Sequence, residues 1–186
     1  MNPKKFSLWL FLVSLTMLFA GLTSAVVVKR ADNNWLEFHI PTIFMINTVV
    51  IVLSSITMQW SYYSAKKNNL KNNRIALWLT VILGIAFIVG QVMGYQALIA
   101  EKTFLVGREI NGVLISNPSA SFFYVISGLH ALHLFGGVIA LAFTIYASYN
   151  YRVHSMSLVG INLCATYWHY MGALWVYLFV FLNLIQ

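Results

Sequence analysis

The chain has 186 residues, of which 60% are hydrophobic and 8% charged, with 11 Lys and Arg against 4 Asp and Glu and a formal net charge of +7. Soluble domains carry about a quarter of their residues as charged side chains, so this composition excludes one and points to a membrane protein. Nor does the basic surplus mark a nucleic-acid partner, because it sits in short segments between apolar runs, where it sets topology and attracts anionic lipid heads.

The first apolar run covers residues 6–28 and follows Lys4 and Lys5. It is too long for an ordinary signal-peptide core, and Thr23-Ser24-Ala25 is a weak cleavage site, so the run reads as a retained helix. Residues 41–65 form the second run, and "KKNNLKNNR" at 66–74 is a short basic connection to the third, 75–100. The longest connection, 101–120, ends in a turn-like Asn117-Pro118. Residues 121–149 and 159–185 complete the set. Each run exceeds the roughly 20 residues that a helix needs to span a bilayer, and none alternates as a barrel strand does. The expected fold is therefore all-α, an integral membrane bundle of five helices in a single membrane domain, 1–186.

Basic residues in alternate connections set the orientation. One side receives Lys4, Lys5, Lys66, Lys67, Lys71, Arg74 and Arg152, whereas the other receives Lys29, Arg30, Lys102 and Arg108 with all four acids, Asp32, Glu37, Glu101 and Glu109. The positive-inside rule places the N-terminus inside and the C-terminus outside. Trp9, Trp35, Trp60, Tyr62, Tyr63 and Trp78 fall at expected membrane interfaces. Trp168 and Trp175, seven apart in the last run, share a helix face and are expected to pack on a neighbour.

In "GQVMG" the spacing of Gly90 and Gly94, with Gln91 beside them, suits a close helix crossing, and Gly136 with Ala140 suggests another on the fourth helix. Cys164 is a lone thiol in an apolar run and reads as filler. Three histidines lie near the membrane midplane: His130 and His133 roughly 13 to 18 Å from one end of the fourth helix, and His169 at a similar depth in the fifth. Imidazoles at that depth must face protein or a water-filled space. Structural hydrogen bonding, haem or metal ligation and transport are the three readings. Two of the histidines share one helix and no run contains an acid, which favours the structural reading over a haem sandwich, a metal centre or an ion-coupled carrier.

"SGLHALHLFGGVIAL" followed by "YWHYMGALWVYLFVFL" resembles the last two helices of subunit III of the haem-copper respiratory oxidases, whose pattern there runs close to G-x-H-G-L-H and then W-H-x-x-D-x-x-W. Earlier segments are similar to that family too: "LWLFLVSLTMLFAGL", "PTIFMINTVVIVLSSITMQWS" and "ILGIAFIVGQVMGYQ" match its preceding helices, so the resemblance covers the whole chain. It implies the short five-helix bacterial form, in a bacterial plasma membrane, with no haem, copper or catalytic residue of its own. Haem and copper are expected in partner subunits I and II of a complex that reduces oxygen while pumping protons, and a larger respiratory supercomplex is a further expected partner. The resemblance strengthens the structural reading of His130, His133 and His169. Three family carboxylate positions hold Leu15, Gly94 and Gly172 here, so a part for those carboxylates in proton uptake does not carry over.

The longer family form holds phospholipid in a cleft walled by two further helices. Their absence implies that another subunit rebuilds that wall and that the first two helices here face ordered lipids, with Lys29, Arg30, Lys66 and Lys67 at the depth of phosphate heads. Leu15 is expected on the lipid-facing side of the first helix. The reading from another class is a haem-binding membrane anchor of a quinone-linked oxidoreductase.

Overall fold

The computed structural model describes residues 3–31, 40–103, 105, 107–110, 113–116, 118–150 and 158–185. Five helices fill most of them: α1 (Pro3–Arg30), α2 (Ile43–Lys66), α3 (Leu70–Ala100), α4 (Pro118–Tyr149) and α5 (Val159–Ile185). All five are long and apolar enough to cross a membrane. Asp32, Trp35, Glu37, Asn117 and Arg152 lie outside the described residues.

Local chemistry sets the helix ends. Pro3 opens α1 at the position where a missing N–H is harmless. The α2–α3 connection closes with Asn68 at φ 57°, a left-handed conformation that asparagine tolerates, while Asn69 N–H donates to the Ser64 carbonyl (2.9 Å) and Asn68 N–H to that of Ala65 (3.0 Å). Asn69 then caps α3 by accepting from the Asn72 N–H at 3.2 Å. This cap lets α3 begin at Leu70, through polar residues that precede its apolar run. The same closing motif ends α3, with Lys102 at φ 59°.

Between α3 and α4, where the sequence reading has only a loop, lies an antiparallel hairpin of β1 (Gly107–Ile110) and β2 (Val113–Ser116), with Ile110 opposite Val113 and Gly107 opposite Ser116. Its signal was present: Asn111-Gly112 separates two short stretches rich in β-branched residues, the strongest short-range hairpin pattern.

Side-chain pairings give the helix directions. Asn73 with Ser61 and Thr80 with Thr57 make α2 and α3 antiparallel. Tyr95 with Ser127 and Arg74 with the Ser148 carbonyl do the same for α3 and α4, and Trp175 with His130 and Tyr167 with the His133 carbonyl for α4 and α5. α1 runs parallel to α5, through Thr16 with Tyr170 and Thr23 with Tyr177. Four helices, α2 to α5, surround a common core, and α1 lies outside it against α4 and α5. Among the described residues α1 makes no helix contact with α2 or α3.

The surface is inverted relative to that of a soluble protein. Met17, Val28, Phe143 and Leu184 are each at least 70% exposed, while Ser54, Asn73 and His130 are completely buried. Such a distribution is stable only where the surroundings are as apolar as the side chains and internal hydrogen bonds satisfy the polar groups.

Candidate functional site

The buried polar residues of α2 recur along one face: Asn47, Ser54 and Ser61, with Thr48, Ser55 and Thr57 beside them. Small polar side chains at helical spacing let neighbouring backbones approach and still offer hydrogen bonds. α5 answers with larger groups. Trp168 donates its indole N–H to Ser54 Oγ at 3.0 Å, Trp175 donates to Thr48 Oγ1 at 3.1 Å, and His169 Nε2 lies 3.0 Å from Gln59 Oε1. The two tryptophans share a face, and that face points at α2. Gly172, one turn from both His169 and Trp175, provides the clearance: an added Cβ would stand 2.9 Å from Ser55 Oγ.

The α2–α3 crossing is the most extensive helix contact in the bundle. Over Gly90 sits the carboxamide of Asn47, which an added Cβ would strike, and over Gly94 sits the Phe44 ring. Asn47 also donates to the Phe87 carbonyl at 3.4 Å. At the far end Asn73 donates to both Ser61 Oγ (3.1 Å) and its carbonyl (3.0 Å), while accepting from Ser148 of α4 at 2.9 Å, so one asparagine links three helices. Gly84 makes room for Trp168, whose Cη2 would lie 2.8 Å from an added Cβ.

The three histidines separate. His169 faces α2, half-buried; His133 is half-buried too, and its Nδ1 lies 2.7 Å from the Leu129 carbonyl of its own helix. His130 is completely buried among rings, with centroids of Trp175, Phe87 and Phe19 at 5.0, 6.0 and 6.4 Å. His169 therefore does not join the His130/His133 face, although helix depth alone allowed it, because α5 turns that side chain toward Gln59. Gln91 is buried on α3 between Phe87 and Tyr95.

Two expectations about packing are corrected. Leu15 does not face lipid: with Leu12, Phe19, Thr23 and Val26 it forms the buried stripe by which α1 contacts the bundle. Gly136 makes no close crossing, having nothing within 4 Å of an added Cβ, whereas its neighbour Gly137 faces the Tyr167 and Trp168 rings. In an unbroken apolar run neither periodicity nor composition separates the lipid face from the packed one, which is why both were misplaced.

α1 leaves open grooves on both flanks. A 510 Å³ groove between α1, α4 and α5 is lined by Phe11, Gly136, Ala140, Gly160 and Cys164, and one of 350 Å³ by Thr16, Ala20, Tyr170, Ala173 and Tyr177. A smaller notch of 210 Å³ brings Lys5, Trp9, Asn162 and Thr166 together near the start of both helices. Lys29 and Arg30 lie exposed in the last turn of α1, and Lys66 and Lys67 are exposed where α2 ends. Cations there complement the negative end of each helix dipole. Among the described residues no group of three or more His, Cys, Asp and Glu side chains is placed to hold a metal ion.

Known proteins resemble this chain over most of its length. The family model described as cytochrome c oxidase subunit III matches residues 2–185. The chain is 29% identical to cytochrome c oxidase subunit 3 of Thermostichus vulcanus, over 96% of this chain and 85% of that protein. It is 29% identical to a probable cytochrome c oxidase subunit 3 of Nocardia farcinica, over 91% and 82%. To cytochrome bo(3) ubiquinol oxidase subunit 3 of Buchnera aphidicola it is 27% identical, over 98% and 94%. The chain belongs to the cytochrome c oxidase subunit III family.

Proposed function

We propose that this member of the family is a non-catalytic subunit of a haem-copper terminal oxidase, assembled with subunits I and II, which hold the haem and copper and reduce oxygen. The observation that carries this reading is the direction of the buried polar side chains. Trp168, Trp175 and His169 each turn their hydrogen-bonding group onto α2 at 3.0 to 3.1 Å, so these residues join helices and do not converge on an open site. Gly94 lies under Phe44, Gly172 against Ser55 and Leu15 within the α1 stripe, so packing fills the three positions where the family often has carboxylates. That supports a scaffold and not a part in proton uptake.

The reading includes lipid retention. α1 and α2 stand apart with α5 between them, and the grooves beside α1 are lined mostly by apolar side chains. Lys29, Arg30, Lys66 and Lys67 supply cations at the helix ends where phosphate heads lie. A helix of another subunit completes the wall on this side. The host membrane is a bacterial plasma membrane, a reading supported by the similarity to bacterial relatives.

A haem-binding anchor of a quinone-linked enzyme would need axial imidazoles on two facing helices, yet His133 is bonded to the Leu129 carbonyl of its own helix and His169 to Gln59 of α2. The test is to purify the tagged chain in mild detergent. Subunits I and II and a Soret band are expected to arrive together. A Soret band in the chain stripped of partners would contradict the proposal.

A further inference from the structure

Among the described residues, two side chains in the bundle core have no hydrogen-bond partner. His130 is 0% and Gln91 1% exposed, and neither ring nitrogen of the one nor either carboxamide atom of the other meets a protein donor or acceptor. The two lie at one level. Gln91 is one turn from Phe87, whose ring touches that of His130, and one turn from Tyr95, whose hydroxyl donates at 3.0 Å to Ser127, which is itself one turn from His130. α3 and α4 therefore bring an amide and an imidazole to the same layer of the core.

Polar atoms buried at this depth without partners are destabilising, and native proteins satisfy such groups with protein or with ordered water. The neighbouring hydroxyls have no free hydrogen to give. Phe19, Phe87 and Trp175 close the layer with rings, and Ser127 already accepts from Tyr95 and donates to the Phe123 carbonyl. Charge decides what can bind. One imidazole and one carboxamide carry neither a cation for an anion nor a carboxylate for a metal ion, and structural metal sites take about four ligands. A neutral imidazole and a carboxamide each present both a donor and an acceptor. Their complement is a small neutral molecule that also does both.

We propose that Gln91 and His130 form a closed hydration site, in which a bound water bridges α3 and α4 beside the α1 and α5 rings. The site does not depend on the oxidase reading and would exist in whatever complex the chain entered. It predicts a water peak within hydrogen-bonding distance of both side chains in a map of the assembled complex good enough to resolve waters. It also predicts coupling between the two positions. Gln91→Leu or His130→Phe alone strands the remaining partner, so each single variant lowers the thermal midpoint of the complex more than the double variant does. A direct Gln91–His130 hydrogen bond with no water peak would overturn the proposal, as would losses in the two single variants that add up in the double. If a single variant fails to assemble, the wild-type map still decides.

Discussion

The α2–α5 interface and the seat of α1 are built differently, though both involve α5. At the first, three directed hydrogen bonds from Trp168, His169 and Trp175 meet small polar groups on α2, and Gly172 removes the side chain that would hold the helices apart. At the second, a stripe of Leu12, Leu15, Phe19, Thr23 and Val26 rests on α4 and α5, helped by Thr16 with Tyr170 at 2.7 Å and Thr23 with Tyr177 at 3.5 Å, and grooves remain on both flanks. Helix association in lipid has no hydrophobic drive, so fit and hydrogen bonds decide it. The comparison therefore teaches that α2 to α5 form the specified core, and that α1 is a helix whose remaining surface is left for lipid or another chain.

The largest effect belongs to the first region. Trp168→Ala removes a fully buried indole that fills the spaces beside Gly84 and Gly137 and leaves Ser54 without its donor, so it should cost about 3–5 kcal/mol. Loss of the chain from purified complexes, read by band intensity, is the expected outcome, and wild-type recovery would break the contrast. Gly90→Leu comes next, because it drives a side chain into the Asn47 carboxamide, an overpacking of about 1–3 kcal/mol or more. Recovery of assembled complex from membranes should fall, and equal recovery would remove the argument for a close α2–α3 crossing.

Smaller effects are expected at the α1 seat. Leu15→Ile keeps volume within the stripe and should cost less than about 1.5 kcal/mol. Tyr170→Phe deletes one exposed bond and should cost about 0.6 kcal/mol, a slight drop in the thermal midpoint. If Tyr170→Phe detached the chain as Trp168→Ala does, the two regions would not differ as argued. His169→Gln sharpens the comparison without a large stability change: an amide can replace the bond to Gln59, and haem and copper content should stay at wild-type values.

The membrane spans were legible because length and hydropathy specify them almost alone, and the tryptophan face of α5 because a seven-residue spacing returns to one side of a helix. Gly90 and Gly94 stood out for the same reason of spacing. What stayed hidden was the facing of residues on helices that are apolar all round. Leu15 and Gly136 were placed wrongly because lipid and protein interior look alike to a leucine or a glycine. The α2 partners Thr48, Ser54 and Gln59 are three of the six polar residues that "NTVVIVLSSITMQ" displays against an otherwise apolar stretch. A polar residue inside a span is the better marker of a packed face. Asn69 and Asn111-Gly112 likewise signalled a cap and a hairpin that hydropathy could not register.

The central claim is that these buried polar groups hold helices together and ligate nothing. Strip this chain from the purified complex with detergent and record the reduced-minus-oxidised spectrum of both fractions, together with their copper. The account predicts that all haem and copper remain with the other subunits and that the released chain is colourless. A Soret band travelling with this chain, lost on substituting His130, His133 or His169, would contradict it.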